Sequence, residues 1–566
     1  MFSRGRIWLA FAIVFVSSTC GLVIELVAGR IMAPYIGVSL YTWTSIIGIV
    51  LAGMSLGNYL GGQIADRRAS RTTLGLIFLA GSISTVGILV MTQVAMSLNM
   101  TMDLIPRIVL YTTAIFFLPS LVLGMVSPVV VKLALQDLTR TGNTVGTIYA
   151  FSTVGSIFGT FVTGFWLISW LGTRAIIWIV AGVLLAMAVG VGEFWRPKGR
   201  LAAISLAAGL GIVAVVTNAN QDWVSAAGLT DIAMRSAPIV IAVPLLILVT
   251  IALGVRLQAA ASALGILAIA VVGLGWTQNQ YRAPCIVESN YFCIRISTAN
   301  IDGRQVRSLV LDHLIHSYVL PEDPSFLGYG YERVYDELTR YHANGRTDID
   351  TLFIGGGGYT FPRYIEAVYP RSSVDVMEID PAVTQAAFDH LSLSPQTRVR
   401  SFNMDARTFL IHWPDPKRYD IVYGDAFNDL SVPYHLTTVE FDRIIYDRLK
   451  PDGIYMINVI DKYRGGEFMK AFLTSLQQVF PNVYLASQGE AWLGGGSNTY
   501  ILLATKTPFD RADFARVIGN GNAPRTNFMP ADMLDAYLAT EPRKLLVDDY
   551  APVDQMVARL FVDRGY

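Results

Sequence analysis

Apolar residues run in nine long blocks along the first half of the chain and in short alternating bursts along the second. The blocks lie near 7–28, 41–63, 73–96, 108–133, 147–171, 175–193, 201–218, 237–255 and 258–276, each near the ~20 residues that an α-helix needs to cross a bilayer. The seventh is short and contains glycine. After Trp276 the pattern changes. "YFCIRIST" and "RSLVLDHLIHSYVL" alternate in the manner of short strands. "DTLFI", a helix from Phe361, "SVDVMEID", a helix from Pro381, "RVRSFNMD", "YDIVYGD", a helix from Thr437 and "GIYMINVI" then follow one another. Such alternation predicts a parallel sheet covered by helices on both faces. The expected fold class is a multi-span α-helical membrane domain over residues 1–278, a small β-strand domain over 279–340 and an α/β Rossmann-like domain over 341–566.

Composition supports the first of these. Of the 566 residues 53% are hydrophobic and 15% charged, too charge-poor for an ordinary soluble globule. With 43 basic and 43 acidic residues the net charge is zero, so no global field favours nucleic acid, and the bilayer is the expected partner. Cys20, Cys285 and Cys293 have no zinc-type spacing, and no metal is expected. "MFSRGR" precedes the first block without an A-x-A cleavage site, and the run continues into Glu25 and Arg30, as a retained first span would. Gly53, Gly57 and Gly61 repeat every fourth residue, a small face for close helix packing. "GGQIADRRASR", Gly61 to Arg71, resembles the cytoplasmic loop between the second and third helices of major facilitator transporters.

Basic residues fall on alternate connections: Arg4 and Arg6; Arg67, Arg68 and Arg71; Lys132 and Arg140; Arg196, Lys198 and Arg200. That pattern places the amino terminus inside. Nine crossings would then leave the second half outside the cytoplasm, where Cys285 and Cys293 could pair. Eight crossings, with 201–218 not spanning, keep it inside. The expectation is a multi-pass protein of the bacterial inner membrane with a cytoplasmic catalytic domain.

Chemistry-bearing residues gather at the expected strand ends. Gly355, Gly356, Gly357 and Gly358 follow the first strand of the α/β part, Glu378 the second, Asp405 the third and Asp425 the fourth. Glycines let backbone approach a ligand, and an acid some 20 residues on accepts both ribose hydroxyls. No G-x-x-x-x-G-K-[ST] is present, so a phosphate-free adenosine is favoured over a nucleoside triphosphate.

From about Val287 to Val553 the chain resembles the spermidine synthase (polyamine aminopropyltransferase) family, and its architecture is similar to the membrane-fused bacterial branch. "VESNYFCIRI", "LVLDHLIHS", "FIGGGG", "VMEID" and "YDIVYGDAFND" match the family's E-S-x-Y, L-x-L-D-G-x-x-Q-x, I-G-G-G-D-G, V-E-I-D and Y-D-V-I-x-x-D-x-x-D motifs. The resemblance implies a fold of the S-adenosylmethionine-dependent transferase type. It implies that Glu378 holds the ribose, Asp405 with Ala406 the adenine amine, and that Asp425 takes a proton from the attacking amine. Tyr331 in "GYGYERVY" would face the substrate. His316, Asn428 and Asp549 would line the amine's place, with Asp548 a further candidate for the ammonium. The co-substrate implied is decarboxylated S-adenosylmethionine, the partner a small amine, and a homodimer is compatible.

Three positions depart from the family pattern: Gly358 replaces the loop acid, His316 the glutamine, and Asn428 the second acid of D-x-x-D, with Asp429 one place late. Less negative charge would then surround a cationic substrate, and S-adenosylmethionine with its carboxylate becomes an alternative donor. That alternative covers aminocarboxypropyl transfer or intramolecular attack releasing methylthioadenosine. A transporter or sensor with a non-catalytic adenosine-binding domain is the alternative of another class. Trp492, in the glycine-rich "EAWLGGGSN", is a candidate lid residue.

Overall fold

The computed structural model describes residues 7–37, 39–97, 104–135, 141–192, 285–413, 417–426, 432–520, 522–540 and 543–557. The blocks near 201–218, 237–255 and 258–276 lie outside the described residues, as do Asn428 and Asp429. The chain divides into two compact units, Met1–Asn290 and Tyr291–Tyr566.

In the first unit α1 spans Ile7–Ile36, α2 Leu40–Arg68, α3 Arg71–Ser97, α4 Leu104–Gly124, α5 Val126–Ala134, α6 Thr141–Val162, α7 Ile168–Leu171 and α8 Thr173–Val191. Among the described residues six helical stretches are long and apolar enough to cross a membrane: Ile7–Pro34, Leu40–Arg68, Arg71–Leu89, Ile105–Ala134, Thr141–Leu167 and Thr173–Val191. They coincide with the first six apolar blocks. The glycines of α2 sit where helices touch. A Cβ on Gly57 would lie 2.1 Å from the Leu121 carbonyl oxygen, and one on Gly61 2.7 Å from Met125 Cα. On α6, Gly155 and Gly159 serve the same purpose against α1, where added Cβ atoms would meet the Phe15 and Thr19 carbonyl oxygens at 2.3 and 2.7 Å. Backbone cannot yield as a side chain can, so Gly57→Val is expected to cost about 1–3 kcal/mol through overpacking. Thermal unfolding of the purified chain checks this, and an unchanged midpoint would remove the close-approach role.

β1 (Val287–Glu288) belongs to the first unit, and in the second a small sheet has the order β2 (Cys293–Ile301), β3 (Arg304–Leu311) and β4 (Leu314–Val319). The division of the chain falls at Asn290, where the sequence suggested 278. Ile294, Leu309, Leu311 and Val319 of the small sheet share one buried cluster with Val383, Ala386 and Leu391 at the helix Pro381–His390.

The large sheet contains β5 (Asp350–Ile354), β6 (Ser373–Met377), β7 (Arg400–Phe402), β8 (Tyr419–Gly424), β9 (Leu449–Lys462), β10 (Asn482–Gln488), β11 (Ser497–Thr505) and β12 (Thr526–Phe528). Their spatial order is β7-β6-β5-β8-β9-β11-β10-β12. Pairing is parallel from β7 to β9 and antiparallel beyond. Strand order reverses between β5 and β8, the place where open α/β sheets hold ligands outside their carboxyl ends. Phe353 and Tyr423 stack at 4.3 Å beneath that point, with Phe361 and Tyr335 packed edge-on.

Candidate active site

Register decides which residues share the carboxyl edge of the sheet. Phe402, Met377, Ile354, Gly424 and Ile457 are successive partners across β7, β6, β5, β8 and β9. One residue beyond this row stand Asn403, Glu378, Gly355, Asp425 and Asn458. Three of the five, Glu378, Gly355 and Asp425, are strand-end residues singled out in the sequence. Asn458 is an addition, and its sequence signal is a lone amide inside the apolar run "GIYMINVI".

The glycine loop is shaped by sterics. Gly355 has φ +94° and Gly357 φ +47°, backbone that residues bearing a Cβ rarely adopt. A Cβ on Gly355 would also lie 2.4 Å from the Asp425 carbonyl oxygen, so this glycine lets β5 and β8 close on one another. The loop's amides turn toward Glu378: Oε2 accepts from Gly356 N at 2.8 Å and Gly357 N at 3.3 Å, and Oε1 from Asp380 N at 3.0 Å. Burial pushes the carboxyl of Glu378 above its ordinary pKa, and these amides pull against that rise. A carboxylate has about four acceptor sites, so acceptor capacity remains for a diol.

Asp405 caps the helix Ala406–His412. Its Oδ1 accepts from Thr408 N at 2.8 Å, and Oδ2 lies 2.7 Å from His435 Nε2. Burial works against its charge, but the His435 and Thr408 hydrogen bonds prevail and hold the carboxyl at about 2. Ala406 is buried beside it. Asp548, expected as a candidate for an ammonium, is engaged otherwise. It pairs with Arg407 through two contacts of 2.6 and 2.5 Å and accepts from Thr438 Oγ1 at 2.8 Å. Asp549 is exposed in the turn Val547–Tyr550.

Asp425 receives two hydrogen bonds, from the Tyr331 hydroxyl at 2.9 Å and from Asn458 Nδ2 at 2.8 Å. Burial raises its pKa and both donors oppose the rise, which makes it a better proton acceptor than an exposed aspartate. Tyr331 belongs to a row of rings, with Tyr318–Tyr329, Tyr329–Tyr331 and Tyr331–Tyr335 centroids 4.8, 5.5 and 5.6 Å apart.

Glu332 was missed in the sequence, although its position three residues past Tyr329 at a helix start is a capping signal. It is buried and accepts from Tyr329 N at 2.9 Å. Burial, with a smaller contribution from the charge of Asp425, pushes its carboxyl up to about 8. Between the ordinary glutamate value of ~4.5 and about 8, the folded chain therefore keeps a proton that the unfolded chain has lost. Stability should fall as pH rises through that window. Glu332→Gln retains an acceptor for Tyr329 N and should flatten the slope of Tm against pH; an unchanged slope would remove Glu332 as its source.

His316 lies partly buried on β4, whose Ile315 carbonyl accepts from the Tyr329 hydroxyl at 2.6 Å. Gly358 packs onto the same strand, and a Cβ there would meet Ser317 Oγ at 1.9 Å. The missing loop acid is thus coupled to Ser317, and an acid at 358 requires Ser317 to move. The Trp492 side chain is buried in the short helix Ala491–Leu493, while Leu493 beside it is exposed.

No family model matches the chain. A polyamine aminopropyltransferase of Vibrio vulnificus is 28% identical over 162 residues, 28% of this chain and 52% of the relative. A probable polyamine aminopropyl transferase of Bifidobacterium longum is 26% identical over 132 residues, 23% of this chain and 29% of the relative. An eEF1A lysine and N-terminal methyltransferase of Bos taurus is 24% identical over 148 residues, 25% of this chain and 21% of the relative. A solved structure of a probable spermidine synthase from Corynebacterium glutamicum aligns with 22% identity and a TM-score of 0.41, covering 46% of this chain and 95% of that one. The chain spans about half the length of the first of these relatives and less of the others. About a quarter of the chain is thus similar to polyamine aminopropyltransferases and to a methyltransferase.

Proposed function

We propose that the second unit is an aminopropyltransferase that binds an adenosyl sulfonium at the β5–β8 switch point, in a chain anchored in a bacterial membrane by its first unit. The observation that carries this reading is the row Glu378, Gly355, Asp425 and Asn458 on one sheet edge, with the Tyr331 hydroxyl on Asp425. Glu378 would accept the ribose hydroxyls, Gly355–Gly358 would give the adenosine close backbone approach, and Asp405 with Ala406 would meet the adenine amine. His316 and Asp549 would lie toward the amine.

In the reaction the lone pair of a primary amine attacks the methylene carbon beside the sulfonium. The carbon–sulfur bond breaks, methylthioadenosine leaves as a neutral thioether, and the proton of the new ammonium passes to Asp425. Tyr331 and Asn458 hold the carboxylate in place, so that nucleophile, carbon and base are already oriented.

The close packing of Gly358 on Ser317 favours a second reading, in which the donor keeps its carboxylate. Where the family places an acid, this chain has a neutral hydroxyl, and the repulsion that would exclude a carboxylate is gone. One experiment separates the readings. Purified full-length chain is incubated with decarboxylated or carboxylated sulfonium, with and without putrescine, and products are identified by mass. Aminopropyl transfer with methylthioadenosine from the decarboxylated donor supports the first reading. Methylthioadenosine from the carboxylated donor supports the second, and binding without turnover of either would leave a sensor.

A further inference from the structure

Basic residues gather at one end of the first unit. Arg67 and Arg68 close α2, Arg71 opens α3 and Lys132 lies in the last turn of α5. Lys132 pairs with Asp66 at 2.9 Å, which confirms that these termini share an end. The opposite end holds the carboxyl terminus of α1 and the amino termini of α2 and α8. Positive-inside bias makes the first end cytoplasmic and the second extracytoplasmic.

Residues 285–290 belong to this unit, and their contacts lie at the second end. The Thr173 amide and hydroxyl, which open α8, both donate to the Glu288 carboxylate, the hydroxyl to Oε1 at 2.9 Å. A carboxylate is favoured at a helix amino terminus. Arg30 Nη2, near the carboxyl end of α1, donates to the Ser289 carbonyl at 2.5 Å. Cys285 and Cys293 are disulfide-bonded, a state that persists in oxidising compartments and is rare in the cytosol. The second unit begins at Tyr291, with no length of chain left for another crossing.

We infer that the second unit emerges on the extracytoplasmic side, so that its site meets substrates outside the cytoplasm. The inference rests on the membrane reading above and reverses the expected cytoplasmic placement. The sixth span ends on the cytoplasmic side, where Arg196, Lys198 and Arg200 follow, and an odd number of further crossings is needed to return. The sequence offers three apolar blocks there, 201–218, 237–255 and 258–276, which lie outside the described residues. An adenosine-type donor then reaches the site only after an export step, and the amine is drawn from the extracytoplasmic pool.

Single cysteines introduced into the full chain with Cys20→Ala test this in intact cells with a membrane-impermeant maleimide. Gln396→Cys, on an exposed turn of the second unit, should be labelled without permeabilisation, and Arg67→Cys only after it. Asp389→Cys, also exposed, replaces Gln396→Cys if that variant is not produced. In the isolated chain Cys285 and Cys293 should react with maleimide only after reduction. Labelling of Gln396→Cys or Asp389→Cys only after permeabilisation would overturn the placement, as would free thiols at 285 and 293. Both readouts are independent of catalysis, so a failed placement and a failed transferase reading are told apart.

Discussion

Asp425→Asn should bind methylthioadenosine nearly as the wild type does and lose on the order of 10²–10⁴-fold in turnover, the range that a positioned general base supplies. The substitution is nearly isosteric. One oxygen remains to accept from Asn458, and the new amide nitrogen faces the Tyr331 hydroxyl, which can accept as well as donate. What is lost is basicity. Because burial already holds the Asp425 carboxyl above its ordinary pKa, it is a better proton acceptor near neutrality than an exposed aspartate. The pH profile of the wild type should therefore show a limb set by this group, absent from the residual activity of the variant. Full turnover in Asp425→Asn would remove Asp425 as the base. Tyr331→Phe is the companion variant: it removes a donor that lowers the Asp425 pKa, so the limb should move to higher pH.

Glu378→Ala should abolish most adenosine binding. Two charge-assisted hydrogen bonds to ribose, at about 1.5–3 kcal/mol each, correspond to a loss of roughly 10²–10⁴-fold in affinity. The fold will not be left untouched, because the Gly356, Gly357 and Asp380 amides all donate to this carboxylate. Orphaning buried donors costs about 1–3 kcal/mol each, so Tm should fall as well. Glu378→Gln separates the two effects. It keeps one acceptor for the loop and turns the other position into a donor, so the loop should hold while the ribose loses half its acceptors. Calorimetry with methylthioadenosine reads the affinity, and wild-type affinity in both variants would exclude Glu378 as the ribose ligand.

Much of this arrangement was legible along the chain. Blocks of about 20 apolar residues and the alternation after Trp276 separated the two halves, because a helix with no water around it needs unbroken apolarity whereas buried strands are short and end in polar turns. Gly355, Glu378, Asp405 and Asp425 were readable because each stands at a strand end, where the punctuation of the sequence falls at the same place as the ligand crevice. Gly53, Gly57 and Gly61 were readable from spacing alone. Gly155 and Gly159, with the same spacing on α6, make equally close approaches and went unremarked, since spacing does not tell which small residues face a neighbour.

The sequence by itself determined the kinds of element and the chemistry carried at their ends, because hydrophobic period and turn residues act over a few positions of the same segment. Only the tertiary structure decided which distant residues share an environment. Tyr331 stands 94 positions before Asp425 and Asn458 33 after it; Asn458 meets Asp425 because strand register aligns Gly424 and Ile457, and Tyr331 reaches it from the helix Gly330–Ala343, which packs on the sheet. The raised carboxyl of Glu332, the engagement of Asp548 by Arg407, and the seating of Ser317 against Gly358 likewise depend on burial and on contacts between elements far apart in sequence. Burial and long-range pairing set the energies of these groups, and neither is a property of any one segment.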